Sequence, residues 1–68
     1  MTKYIIYKDT VFGRKYLTHI INKRPYSSNN ISAAQVCENR SLAEFVAKLA
    51  EKYTGHLWWV QEVKHDKR

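Results

Sequence analysis

Four side chains have the chemistry of soft metal ligands, or of a nucleophile with its base: His19, His56, His65 and Cys37. A zinc site usually takes its ligands in closely spaced pairs, so that one turn presents two of them. No two of these four stand at such a spacing. Cys37 with a histidine would suggest a nucleophile and base. A lone cysteine in a small domain is more often a small buried hydrophobe, and 68 residues leave little scaffold for a substrate pocket. The acidic residues form no dyad: Glu44 reads as part of a helix cap and Glu51 as a solvated helix face. Two glycines, Gly13 and Gly55, do not make a phosphate-binding loop. The sequence therefore predicts no catalytic centre, no metal and no cofactor.

Charge is the stronger signal. Twelve Lys and Arg stand against six Asp and Glu, a formal charge of +6. Such a balance speaks to partners rather than to fold and excludes a DNA mimic. Lys3, Lys8, Arg14, Lys15, Lys23 and Arg24 crowd the N-terminal part of the chain, opposed there by Asp9 alone, with Tyr4, Tyr7, Tyr16 and Tyr26 interleaved. Single-stranded nucleic acid asks for this pairing, because cations track the backbone and rings stack on bases. Lys8, Arg14, Lys15, Lys23 and Arg24 are the candidate nucleic-acid contacts. The competing expectation for each tyrosine is burial in a core or a dimer interface.

These residues need strands to present them. "KYIIYKD" (3–9) and "KYLTHIIN" (15–22) are dense in β-branched and aromatic residues. In the first, Tyr4 and Ile6 share one face and Ile5 and Tyr7 the other. In the second, Tyr16, Thr18 and Ile20 oppose Leu17, His19 and Ile21. "DTVFGRK" supplies Gly13 for a turn, so the two runs form a hairpin with a rather long connection. "NKRPYSSNN" (22–30) reads as a loop, since Pro25 lacks a donor and the Ser and Asn side chains bond locally to backbone. In "ISAAQVCEN" (31–39), Ser32 and Gln35 suggest one helical turn, and Val36 and Cys37 a short extended piece.

"RSLAEFVAKLAEKYTG" predicts a helix over about 42–54. Ser41 and Glu44 have capping-box spacing. Leu42, Phe45, Val46, Leu49 and Tyr53 form an apolar stripe at helical spacing. Glu44 and Lys48 are an i,i+4 pair, and alanines at 43, 47 and 50 favour the helix. Gly55 stands at the C-terminal cap. The adjacent tryptophans in "HLWWVQEVK" therefore fall beyond the helix, in a final strand, where neighbours face opposite ways. Leu57, Trp59 and Val63 are the more apolar row and are expected inward; Trp58 is expected outward. "HDKR" (65–68) reads as a solvated tail.

The order strand-strand-helix-strand predicts a single α+β domain over residues 1–68. It is a three-stranded antiparallel sheet, order 2-1-3, with one helix on one face. The other face would be apolar and uncovered, which marks an interaction surface. Its candidate partner-binding residues are Tyr4, Tyr16, Tyr26 and Trp58.

The pieces "KYIIYKD", "AAQVCENRSLAEFVAKLAEKY" and "WWVQEV" resemble a group of small phage and prophage proteins. Their pattern is a "YII-K" hairpin, a polar loop, a short "A-x-V/F" segment, an "S-x-x-E-A/F" capped helix and a closing strand rich in Val and Glu. The chain departs from that pattern in having "DTVFGR" where a tight Gly-rich turn is expected. The resemblance spans most of the chain and implies an accessory protein acting on nucleic acid or on a host factor. The single cysteine excludes an internal disulfide, and "MTKYIIYKDT" has too short an apolar run for a signal peptide or a membrane span. The expectation is a cytoplasmic, non-enzymatic protein that binds a host or phage protein through its open sheet face. It is expected to self-associate as a homodimer. The alternative is a nucleic-acid-binding accessory protein that uses the hairpin and the 22–30 segment.

Overall fold

A computed structural model describes residues 2–64; the expected tail and His65 lie outside the described residues. The elements are β1 (Thr2–Thr10), β2 (Gly13–Ile21), β3 (Arg24–Ser28), a single 3₁₀ turn (Ile31–Ala33), α1 (Arg40–Thr54) and β4 (Trp59–Lys64). The fold is α+β with one helix and an antiparallel sheet, but the sheet has four strands, in the order β3-β2-β1-β4. The expected central arrangement survives as β2-β1-β4. The fourth strand comes from the segment expected to be a loop.

Turn chemistry explains that strand. Asn22 and Lys23 both adopt positive φ, 53° and 63°. Two such residues in succession give the type I′ turn whose twist matches flanking strands, and Asn tolerates it best. Arg24, Pro25 and Tyr26 then pair with Ile21, Ile20 and His19. Pro25 fits because β3 is an edge strand. The first hairpin is also tighter than expected. Only Val11 and Phe12 lie between β1 and β2, and Gly13 follows at φ 114°, as in a turn closed by a left-handed glycine.

A register shift in β2 between Leu17 and His19 leaves Thr18 unpaired with β3. A bulge of this kind inverts the alternation beyond it. Ile20 thereby joins Leu17 on the helix side and packs against the core, whereas simple alternation placed it with Tyr16. Near this point β1 and β2 part. The Gln35 N–H donates to the Leu17 carbonyl at 2.8 Å, and Cys37 and Tyr4 exchange backbone hydrogen bonds of 2.7 and 2.9 Å. The expected extended piece at Val36 and Cys37 thus fills the gap between two diverging strands.

The core lies between sheet and helix: Ile6, Leu17, Cys37, Ala43, Ala47, Ala50 and Trp58 are buried. The helix meets the sheet through its alanines rather than through its large side chains. Leu42 and Phe45 are exposed, Phe45 by 61%, so the stripe expected inward lies to one side of the true contact line. Small residues at 43, 47 and 50 let the helix approach closely enough for the Trp58 ring to share the layer. The cap also differs. Asn39 is the N-cap, its Oδ1 accepting from the Leu42 N–H at 2.7 Å. Ser41 lies inside the helix, and Glu44 pairs with Arg40 at 3.7 Å. The C-terminal cap is Gly55, left-handed at φ 76°.

β4 reverses the expected tryptophan orientation. Trp58 is 8% exposed and in the core; Trp59 is 52% exposed, and Leu57 is exposed as well. Thr54 explains the choice. Its hydroxyl donates to the Ala50 carbonyl at 2.7 Å and accepts the Trp58 indole N–H at 3.1 Å. A buried indole needs such an acceptor, and the last turn of the helix supplies it to Trp58.

Candidate functional site

The sheet face turned away from the helix carries the candidate site. Tyr7 pairs with Tyr16 on one side and with Trp59 on the other. Directly opposed residues share a face, so Trp59, Tyr7 and Tyr16 form one row of rings across β4, β1 and β2, all outside the core. The row ends at Ser28, paired with Tyr16 on β3. Two pairs nearer the first hairpin tip, on the same face, Asp9 faces Arg14. The Arg14 Nε bonds to the Asp9 Oδ1 at 2.9 Å, while its guanidinium lies 4.0 Å from the centre of the Tyr7 ring. The Asp9 hydrogen bond raises the Arg14 pKa above its ordinary value.

Beyond the bulge, His19 and Tyr26 return to this face and stack, centroids 5.1 Å apart at 25°. Arg24, paired with Ile21, follows on the same side, and Lys23 projects from the adjoining turn. Asp9 is the one acidic strand residue that the register places here, since Glu62 pairs with Tyr4 on the helix side. At the other end of β1 the face becomes an apolar cleft of about 210 Å³ between Ile5, Ile31, Ala34, Val36 and Val63, with Lys3 at its edge. Ile5 is only 3% exposed there, because the 31–36 segment folds over it.

The residues expected to bind a partner therefore divide. Tyr16, Tyr26, Arg14 and Arg24 are on the open face, with Lys23 beside it. Tyr4 and Trp58 are not: Tyr4 packs against the core with the Arg40 guanidinium 5.5 Å from its ring, and Trp58 is core. Lys8 and Lys15 also lie on the helix side. The Lys8 ammonium sits 4.9 Å from the Trp58 ring, and Lys15 donates to the Asn29 Oδ1 at 3.1 Å. Trp59 was missed because its row looked the more apolar. Tyr7 was interleaved with the cations but not singled out.

Cys37 is buried in the core, and burial pushes its thiol pKa up. A thiol held protonated and enclosed has no nucleophilic use. Among the described residues no group of three His, Cys or acidic side chains converges, and no helix is long and apolar enough to cross a membrane. No family model, curated protein or solved structure matches the chain.

Proposed function

We propose that the chain is a small binding protein that takes single-stranded nucleic acid on its open sheet face. The observation that carries this reading is the Trp59–Tyr7–Tyr16 row, three rings at adjacent cross-strand positions on the sheet face opposite the helix, beyond the part that the 31–36 segment covers. Trp59 is half exposed and can stack a base whatever its identity, with the partly buried Tyr7, its ring faced by the Arg14 guanidinium, and Tyr16 beside it; stacking contributes about 1–3 kcal/mol per base. Arg14, Lys23 and Arg24 supply cations along the same surface, and the formal charge of +6 draws a polyanion from a distance. Three phosphate contacts on a single strand give a slope of log affinity against log salt of about −2.

The test is anisotropy titration of a labelled single strand at low salt, repeated at rising salt. Binding that weakens along such a slope supports the proposal. Absence of binding at low salt defeats it, since electrostatic attraction is strongest there. A protein partner, or a second copy of the chain, is the second reading. It is favoured by the cleft lined by Ile5, Val36 and Val63, an apolar surface that phosphate has no use for. Binding through that cleft would survive high salt and nuclease. The accessory role in a phage setting and the cytoplasmic location stay part of the proposal in either case.

A further inference from the structure

The first hairpin ends in two large apolar side chains with nothing against them: Val11 is 92% exposed and Phe12 86%. Two-residue tips ordinarily carry Asn, Asp or Gly, whose chemistry suits the turn and the solvent. Valine and phenylalanine here contribute nothing to the core. The tip is nevertheless held firmly. The Thr10 hydroxyl donates to the Gly13 carbonyl at 2.8 Å and accepts from the Phe12 N–H at 3.1 Å.

The surroundings indicate what the tip meets. Behind the closing pair Thr10–Gly13 come Asp9 opposite Arg14, on the open face, and then Lys8 opposite Lys15, on the helix side. Arg14, Lys8 and Lys15 against the single carboxylate of Asp9 leave this end of the hairpin net positive, which suits an anion. The aromatic row crosses the same two strands at Tyr7–Tyr16, three pairs behind Thr10–Gly13, about 10 Å along the hairpin at the usual rise per strand residue. An apolar wedge flanked by cations is how proteins unstack base steps. Here the wedge continues into a surface able to hold the strand so released.

We infer that Val11 and Phe12 form a wedge that stacks on the terminal base pair where a duplex opens into single strands, so that the preferred ligand is a forked or tailed nucleic acid. This rests on the open-face reading above and adds the junction to it. An anionic membrane surface would also accept an apolar, cationic tip, but would make no use of the ring row behind it.

The experiment compares a labelled single strand, a blunt duplex and a fork with the same single-stranded length, using the wild type, Phe12→Ser and the double variant Val11→Ser/Phe12→Ser. The wild type should prefer the fork. Loss of Phe12 should lower fork affinity about tenfold, one stacking contact's worth, and leave single-strand affinity within about twofold. 2-Aminopurine at the junction should brighten with the wild type and not with the variants. Equal binding of fork and single strand by the wild type overturns the wedge and leaves the open face standing; binding of neither defeats the open face itself. Equal losses on both ligands reduce Phe12 to another stacking side chain and overturn the inference. Phe12-dependent binding to anionic lipid vesicles, without fork preference, assigns the tip to a membrane surface and overturns it too.

Discussion

Replacing the two tryptophans one at a time separates the scaffold from the surface. Trp58 is almost fully enclosed by Ile6, Leu17 and the helix alanines, and its indole N–H bonds to Thr54. Truncating a buried tryptophan to alanine costs about 3–5 kcal/mol. A domain of 68 residues holds about 3–10 kcal/mol at the usual stability per residue. Trp58→Ala is therefore expected to be largely unfolded or close to it, while Trp58→Phe, which keeps a ring and loses the N–H bond, should stay folded with a lower midpoint. Trp59 is half exposed, and its main partner is Tyr7 across the strands. Trp59→Ala should cost under about 1 kcal/mol, the range of a cross-strand pair. Single-strand affinity should fall about 5- to 150-fold, the loss of one stacked base. Guanidinium denaturation followed by circular dichroism measures the first quantity, and anisotropy titration the second. Acrylamide quenching of the folded single-tryptophan proteins adds an independent check: Trp58→Phe, retaining only Trp59, should be quenched readily, and Trp59→Ala, retaining only Trp58, should resist. If instead Trp59→Ala unfolds the protein and Trp58→Ala is tolerated, β4 faces the other way, and the ring row on the open face does not exist.

Asn39→Ala should lower stability by about 1 kcal/mol through loss of the cap, whereas Ser41→Ala should stay within about 0.5 kcal/mol; paired denaturation curves decide which residue starts the helix. Ala43→Leu should destabilise by about 1–3 kcal/mol, because Ala43 is fully enclosed where the helix meets the sheet. Lys23→Gly should raise stability by about 0.5–1 kcal/mol, since glycine adopts the positive φ of that turn without strain. Changing Lys23 and Arg24 together to Glu should weaken single-strand binding and flatten its salt slope, while Lys8→Gln with Lys15→Gln, on the helix side, should leave single-strand affinity nearly unchanged. The Cys37 thiol should react with a thiol reagent only as fast as the protein opens, so labelling that matches a free thiol at neutral pH would contradict its burial.

Local signals located most elements, and orientation was harder to read than existence. Helix α1 and its stop at Gly55 were legible because alanine content, apolar spacing and a C-terminal glycine agree on one segment. Which side of the helix faces the sheet was not, because hydrophobicity ranks Leu42 and Phe45 above alanine, whereas close approach to a sheet selects for small volume. The Ser41 capping box was a false lead of the same kind. Asn39 had the right chemistry two residues earlier, and spacing alone could not rank the two. Strand β3 was hidden behind residues that usually mark loops. Asn22 was its one positive signal, since asparagine enters the left-handed region readily, but the lysine after it gave no reason to read a two-residue turn. The bulge at Thr18 has no sequence mark that we can identify, yet it decides that Ile20 is core.

The open face is where these errors matter, because a site made by a sheet depends on the parity of four strands at once. Tyr7 and Tyr16 share their face through the first hairpin, which the alternation of β1 and β2 made readable. Trp59 joins them only if Trp58 turns inward, and that is decided by a hydroxyl on a different element, Thr54, at the end of the helix. His19 and Tyr26 join only because the bulge restores them to that side and Asn22 and Lys23 turn the chain back. The aromatic row is thus a product of the helix C-terminus, one bulge and one tight turn acting together. It follows that Thr54→Val, remote from the open face, should loosen the hold on Trp58 and let β4 slip or fray. Single-strand binding should then weaken with no ring removed. A Thr54→Val protein of unchanged affinity would show that the packing of Trp58 alone orients β4, and that the hydroxyl adds nothing to the placement of Trp59.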